Sequence, residues 1–134
     1  IKVTINMNAK QFLAYKGYKG LIIEGTGLGH TPLDVIDKET KEHANIKKAL
    51  KTLSRSTVMV MTSQCLFGRV NMNVYSKGRE LQDLGIISGE DMLPETAFVK
   101  LSWLLANYPK QAKELIGKNL RGEINENLTK EFLE

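Results

Sequence analysis

Three stretches of this sequence carry side chains able to do chemistry. The first is GLIIEGTGLGHTPLD, Gly20 to Asp34, where Gly25, Gly27 and Gly29 stand at every second position and His30 follows directly. Glycines at this density free the backbone to turn tightly or to approach a ligand closely. A histidine beside them is either a packed or capping group, or a donor to a carboxylate or carbonyl that free backbone N–H groups also reach. The spacing is G-x-G-x-G rather than the G-x-G-x-x-G of dinucleotide-binding turns, and no acidic residue closes a following strand. No G-x-x-x-x-G-K-[ST] phosphate loop occurs either, so nucleotide binding at this corner is disfavoured.

The second stretch is SQCLFGRVNMNVY, Ser63 to Tyr75, polar and aromatic with no sustained period. Cys65 and His30 offer a thiol and a base. Nothing in the sequence brings the two together, and a small residue packed at a loop base is the ordinary role for such a cysteine. Asn71, Asn73, Tyr75 and Arg79 supply amide, hydroxyl and guanidinium groups suited either to a small polar ligand or to a subunit interface. The third stretch is the pair Glu90-Asp91. Two adjacent carboxylates can act as general acid and base, but acids just ahead of a helix opening at Pro94 are accounted for by its dipole. With one cysteine and two histidines, His30 and His43, the chain has no zinc ligand set.

The surrounding patterns predict the elements that hold these residues. Lys2 to Met7 alternates apolar and polar residues as a strand does, and Ala9 to Tyr15 fits a short helix stopped by Gly17. Leu21 to Ile23 form a buried strand leading into the glycine corner. Thr31 is placed to cap a helix, Pro32 to be its first residue and Asp34 to lie in its first turn. From Pro32 to Leu53 the apolar spacing fits two helices around a polar segment, Lys38 to Glu42. Thr57 to Thr62 is a nearly continuous apolar strand, of the kind a parallel sheet buries on both faces. Ser76 to Leu84 is a short amphipathic helix, Ile86-Ile87 a short strand, and Pro94 onward a strong helix with Ala97, Phe98, Leu101, Leu104 and Leu105 at helical spacing. A last helix spans Lys110 to Lys118, and a polar tail follows from Asn119. Alternating strands and helices imply an α/β fold of three layers, a parallel sheet of about four strands between helices.

At 134 residues the chain fits one domain. Its 42% hydrophobic and 25% charged residues are ordinary for a globular protein, and no apolar run approaches the roughly 20 residues of a membrane span. The net charge of +4 is spread among nearly as many acids, and Lys47, Lys48, Lys51 and Arg55 read as the solvated face of a helix rather than a tRNA-facing patch. A single cysteine and no signal-peptide pattern favour a reducing cytoplasm. A chain that starts at Ile1, inside a strand pattern, looks like a piece of a longer protein.

GYKGLIIEGTGLGHTP, then VMVMTSQCLFGRVNMNVYSKGRELQDLGIISGEDMLPETAFVKLSWLLA, then NLRGEI, resemble the C-terminal domain of L-asparaginase-type amidohydrolases. Within that family the likeness is nearest to the D-type glutaminase subunits of the archaeal glutamyl-tRNA(Gln) amidotransferases. It covers Gly17 to Ile124, and EGTGLGHTP, GRVNMNVYS and EDMLPETA are its most specific parts.

The resemblance implies that a larger N-terminal domain carries threonine nucleophiles, one activated by an aspartate and a lysine, and releases ammonia from glutamine. It further implies a homodimer and a second kind of amidotransferase subunit, the E-type, which uses the ammonia with ATP and magnesium to convert glutamyl-tRNA(Gln) to glutaminyl-tRNA(Gln). The TGGT-like and GTDT-like nucleophile motifs are absent here, so the resemblance assigns this stretch no catalytic residue, no cofactor of its own and no activity alone. Its role would be to complete the neighbouring subunit's site. A family asparagine that approaches substrate corresponds to His30, and Tyr75 and Arg79 lie in a second segment bordering that site. Two departures are visible: NMNAKQF replaces the usual YPG-like element, and Lys38 to Asn45 is inserted in the usual helix. The alternatives are the C-terminal domain of a cytoplasmic type I asparaginase and a non-catalytic binding module on the same scaffold.

Overall fold

The computed structural model describes residues 1–127. Three parallel strands, β1 (Gly20–Gly25), β2 (Val58–Ser63) and β3 (Ile86–Ser88), lie in the order β1-β2-β3. The register pairs Leu21 with Met59 and Ile23 with Met61, and on the other side of β2 pairs Met59 with Ile86. Parallel neighbours need crossovers, and helices supply them. The helix α2 (Glu42–Leu53) joins β1 to β2, and α3 (Ser76–Asp83) joins β2 to β3. The chain is completed by α1 (Ala9–Leu13) before the sheet and by α4 (Pro94–Asn107) and α5 (Ala112–Leu115) after it.

Because side chains alternate along a strand, continuous apolar runs in β1 and β2 serve two cores at once. Leu21, Ile23, Met59 and Met61 face one side, where they pack with Phe12 of α1, with Ile46, Ala49, Leu50 and Leu53 of α2, and with Leu81 of α3. Ile22, Val58 and Val60 face the other, against Ala97, Leu101 and Leu104 of α4, and Ala112 and Ile116. The result is the three-layer α/β arrangement with helices on both faces of a parallel sheet.

Two elements differ from the sequence expectation. The strand expected over Lys2 to Met7 is reduced to its first residues: Glu24 donates to the Ile1 carbonyl at 2.9 Å, Val3 donates to the Glu24 carbonyl at 2.9 Å, and Lys2 makes an isolated parallel bridge to Glu24. Pairing stops there because β1 ends at Gly25 and offers no further rung. The Gln64 side-chain amide takes the next position, donating to the carbonyls of Val3 at 2.7 Å and Glu24 at 2.9 Å. Beyond it Ile5 is 91% exposed while Val3 and Met7 are buried.

The helix expected at Pro32 does not form. Thr31 is buried with its hydroxyl against the Met7 sulfur at 3.9 Å, so it caps nothing, and of the apolar residues that follow only Leu33 is buried, with Val35 51% and Ile36 83% exposed. A segment with one buried apolar residue has no face to dock, and packing rather than propensity sustains short helices. A local turn replaces it: the Asp37 carboxylate accepts from the Glu39 and Thr40 N–H groups at 2.9 Å each. Competition of this sort from aspartate side chains is common outside helices. The helix α2 then starts at Glu42, whose carboxylate accepts from the Ala9 N–H at 2.9 Å and so ties α2 to the start of α1. The exposed Lys47, Lys48, Lys51 and Arg55 form its solvated side.

One charged contact supports the α4 layer from outside. The Lys100 ammonium, with only 7% of its side chain exposed, meets the Glu123 carboxylate at 2.6 Å and donates to the Lys118 carbonyl at 2.5 Å. Burial by itself opposes charge on Glu123, but the Lys100 hydrogen bond together with those from backbone N–H groups, including Leu120 and Arg121, outweighs it and brings the carboxyl from 4.5 down to about 2. Between those values the unfolded chain binds the proton that the folded chain does not, so this contribution is complete above pH 4.5 and is lost as pH falls toward 2. Glu123→Gln is expected to lower stability at neutral pH by about 1–3 kcal/mol, allowing for solvent screening, and to flatten the acid limb of the stability curve. Urea unfolding at pH 7 and at pH 3 measures both effects.

Candidate functional site

The loops that leave the carboxyl ends of the three strands meet in one place. At the end of β1 the backbone closes a tight turn in which the Thr26 carbonyl accepts from both Gly29 and His30 at 3.0 Å, and Thr26 donates back to the His30 carbonyl at 3.0 Å. The turn is seated on its neighbours by polar groups that follow β2. Ser63 Oγ donates to the Gly27 carbonyl at 2.6 Å and the Gln64 N–H to the Gly25 carbonyl at 2.9 Å. The Asn71 N–H reaches the Leu28 carbonyl at 3.0 Å, and the Val70 N–H reaches the Glu90 carbonyl beyond β3 at 2.8 Å. All three carboxyl-end loops are thereby laced together, which is where open α/β sheets hold ligands.

Two glycines make the close approach possible. A Cβ at Gly25 would lie 2.5 Å from the Met61 sulfur and 2.9 Å from the His30 backbone nitrogen. One at Gly29 would lie 2.8 Å from Val70 Cγ1 and 2.9 Å from Met61 Cγ, and Gly29 also sits at φ +99°. The corner therefore serves as a packed turn, and since no helix opens at Pro32, the dipole of a helix N-terminus contributes nothing to it.

His30 and Tyr75, far apart in sequence, are brought together. Their rings meet edge to face with centroids 5.4 Å apart at an interplanar angle of 61°. Nε2 of His30 is buried and, among the described residues, is the one buried side-chain nitrogen or oxygen with no hydrogen-bond partner. Such an atom costs about 1–3 kcal/mol when left alone. Arg79, one turn into α3, directs its guanidinium to the Asn73 carbonyl at 2.8 Å and donates its N–H to the Tyr75 carbonyl at 3.3 Å. Asn73 in turn donates its N–H to Asn71 Oδ1 at 3.2 Å and accepts from Gln82 at 3.3 Å. These contacts place Arg79, Asn71 and Asn73 as braces of the loop that presents Tyr75.

The other sequence candidates lie elsewhere. Cys65 is exposed, its N–H donates to Ser63 Oγ at 3.0 Å, and no hydrogen bond among the described residues joins it to His30. Glu90 and Asp91 are engaged with other segments rather than with the α4 dipole: Glu90 pairs with Arg69 at 2.5 Å, and the Asp91 carboxylate accepts the Asn125 N–H at 3.1 Å and its side-chain amide at 2.6 Å. His43 meets the Asp34 carbonyl through Nδ1 at 2.6 Å. No group of three or more metal-ligating side chains occurs among the described residues.

Sequence reasoning passed over Ser63 and Gln64 as seats for the turn, although polar residues directly after a fully buried strand are a signal for that role. It also passed over a chain of ion pairs, Asp34 to Lys77 to Glu80 to Lys47, that ties the loop after the turn to α3 and α2. Hydrogen bonds from Lys47 and then Lys77 hold the Glu80 carboxyl below the usual carboxylate range, and hydrogen bonds to Asp34 and then Glu80 raise the Lys77 ammonium.

With this geometry in place, relatives are informative. Residues 1–115 match the model of the glutaminase/asparaginase C-terminal domain. The chain belongs to that family. Among its relatives, the D-type subunit of glutamyl-tRNA(Gln) amidotransferase from Methanobrevibacter smithii is 53% identical over 113 residues, covering 83% of this chain and 24% of that protein. Its counterpart from Pyrococcus furiosus is 50% identical over 128 residues, covering 92% of this chain and 27% of that protein. The chain thus spans about a quarter of the length of the curated relatives it matches. The thermostable L-asparaginase from Thermococcus kodakarensis superposes with a TM-score of 0.82 at 26% identity, over 95% of this chain and 37% of that one. L-asparaginase I from Vibrio cholerae does so with a TM-score of 0.76 at 30% identity, over 93% and 36%. No described helix is long and apolar enough to cross a membrane.

For this family member the packing of the turn predicts a graded response to methyl groups. Gly25→Ala and Gly29→Ala are each expected to lose about 2–4 kcal/mol through overlap with Met61, Val70 or the His30 backbone. Gly27→Ala, at φ +50° with nothing within 4 Å of its Cβ, should lose only about 1 kcal/mol. Denaturant midpoints of the three variants provide the comparison.

Proposed function

We propose that this chain is the C-terminal domain of the glutaminase subunit of a glutamyl-tRNA(Gln) amidotransferase, and that it completes an intersubunit site which hydrolyses glutamine to supply ammonia. The observation that carries the reading is the His30 corner: a rigid wall at the carboxyl end of the sheet that presents one buried imidazole nitrogen without a partner. The names of relatives at about half identity supply the reaction.

On this reading the nucleophile belongs to the N-terminal domain of the same polypeptide, and this domain lends a wall to the active site of a second copy. His30 faces the substrate, with Tyr75 beside it and Arg79 one turn further along α3. Ammonia passes to the E-type subunit, where ATP and magnesium support amidation of glutamate on tRNA(Gln) in the cytoplasm; this domain holds no cofactor itself. The chemistry left to its own residues is to orient and to exclude water. An unpaired imidazole nitrogen in a packed wall donates or accepts one hydrogen bond without first being stripped of a protein partner, so a bound polar group meets it at little cost in reorganisation. The structures of L-asparaginases that superpose on the chain keep a second reading in view, the C-terminal domain of a type I asparaginase. Higher identity to the amidotransferase subunits favours the first.

The test is kinetic. In the full-length polypeptide His30→Ala is expected to lower kcat/KM for glutamine by about ten- to a hundredfold with no loss of folded protein, the size of losing one well-placed polar contact. Unchanged kinetics would remove His30 from the site. Residues 1–134 expressed alone should release no ammonia from glutamine or asparagine, and measurable release would place the nucleophile here.

A further inference from the structure

We propose that Tyr75 is the positioning residue for His30: its ring edge fixes the orientation of the imidazole whose Nε2 is offered to the substrate. This rests on the site reading given above and adds a residue that acts through another. The His30 backbone is locked by its hydrogen bonds to Thr26. The ring is not locked in this way, because Nε2 has no hydrogen-bond partner among the described residues. An imidazole turns easily about its second side-chain torsion, for which the rotamer wells are broad. What opposes that rotation is the Tyr75 ring, 5.4 Å away and inclined at 61°, the arrangement aromatic pairs prefer.

Tyr75 is built to hold still where it matters and to stay out of the chemistry. Its backbone is extended at φ −110° and ψ 151°, capping α3, and its carbonyl receives the Arg79 N–H. The Arg79 guanidinium and the Gln82 amide brace Asn73 two residues before it. The residue is 57% exposed, and no hydrogen bond among the described residues uses its hydroxyl. The property that does the positioning is therefore the aromatic ring, and the hydroxyl is dispensable to it.

The experiment is a double-mutant cycle on glutamine hydrolysis by the full-length polypeptide, with Tyr75→Ala, Tyr75→Phe, His30→Ala and the double variant His30→Ala/Tyr75→Ala. Tyr75→Ala is expected to lower kcat/KM about three- to tenfold, mainly through KM, with the thermal midpoint little changed. Tyr75→Phe should recover most of that loss. In the His30→Ala background Tyr75→Ala should have almost no further effect, because a residue that works through His30 has nothing left to position. Losses that multiply independently would overturn the positioning role while leaving His30 in the site. So would a Tyr75→Phe variant as poor as Tyr75→Ala, which would assign the work to the hydroxyl. A His30→Ala variant with full activity would instead sink the site reading itself and the proposal with it.

Discussion

The contact on which the site depends is the seating of the turn after β1 against Met61 of β2. Gly25 and Gly29 both bring backbone to within about a methyl group's reach of that one side chain. Met61 is fully buried, paired in register with Ile23 and part of the core that α1, α2 and α3 share. The position of His30 is therefore coupled to the sheet through van der Waals contact rather than through a flexible loop. A long thioether side chain suits such a place, since it fills an irregular gap and tolerates close backbone on one side. The alternation that puts Met61 under the turn also puts Val60 into the opposite core, so a single strand anchors both layers.

From that anchoring the polar connections follow in sequence. Parallel strands all end on the same side, and each hands its backbone groups to a loop there. Ser63 and Gln64 capture carbonyls of the first loop, Asn71 reaches back to Leu28, and Val70 reaches the Glu90 carbonyl of the third. Glu90 takes φ 57°, the single left-handed non-glycine residue among those described, while its carboxylate holds Arg69. A residue in that conformation persists when its surroundings fix it from several directions. Here the two directions are the ion pair and the backbone bond, and both serve to keep the second and third loops together next to Tyr75.

How far the sequence revealed this depends on where packing and where local chemistry decide. The runs LII and VMVM, buried on both faces, and the helical spacing from Pro94 to Leu105 located β1, β2 and α4, because a long apolar pattern has few alternatives. The spacing of the glycines and His30 located the corner and its family. The segment 31–41 was misjudged for a physical reason: a capping threonine, a proline and an aspartate are also the residues of an extended loop and turn. Only tertiary facts, the burial of Thr31 and the exposure of Ile36, separate the two. The meeting of His30 with Tyr75 was equally out of reach, since it arises from parallel strands ending side by side and not from any local pattern. The tail beyond Asn127 lies outside the described residues.

The site's incompleteness is itself an argument about assembly. A folded domain satisfies nearly all its buried polar atoms, and among those described this one leaves a single side-chain nitrogen unmatched, at the carboxyl end of the sheet and beside an exposed aromatic ring. Sequence selection could remove that cost with a hydrophobic residue, or with a neighbour that accepts a hydrogen bond. Keeping an imidazole there is consistent with a partner group that arrives from outside the domain. The chain spans about a quarter of its amidotransferase relatives, which leaves ample protein to bring the rest of an active site to this wall. On the reading proposed here, the domain supplies geometry and the remainder of the polypeptide supplies the nucleophile. The division is physically sensible, because a wall built on a doubly buried sheet can stay rigid while a reactive threonine is carried elsewhere.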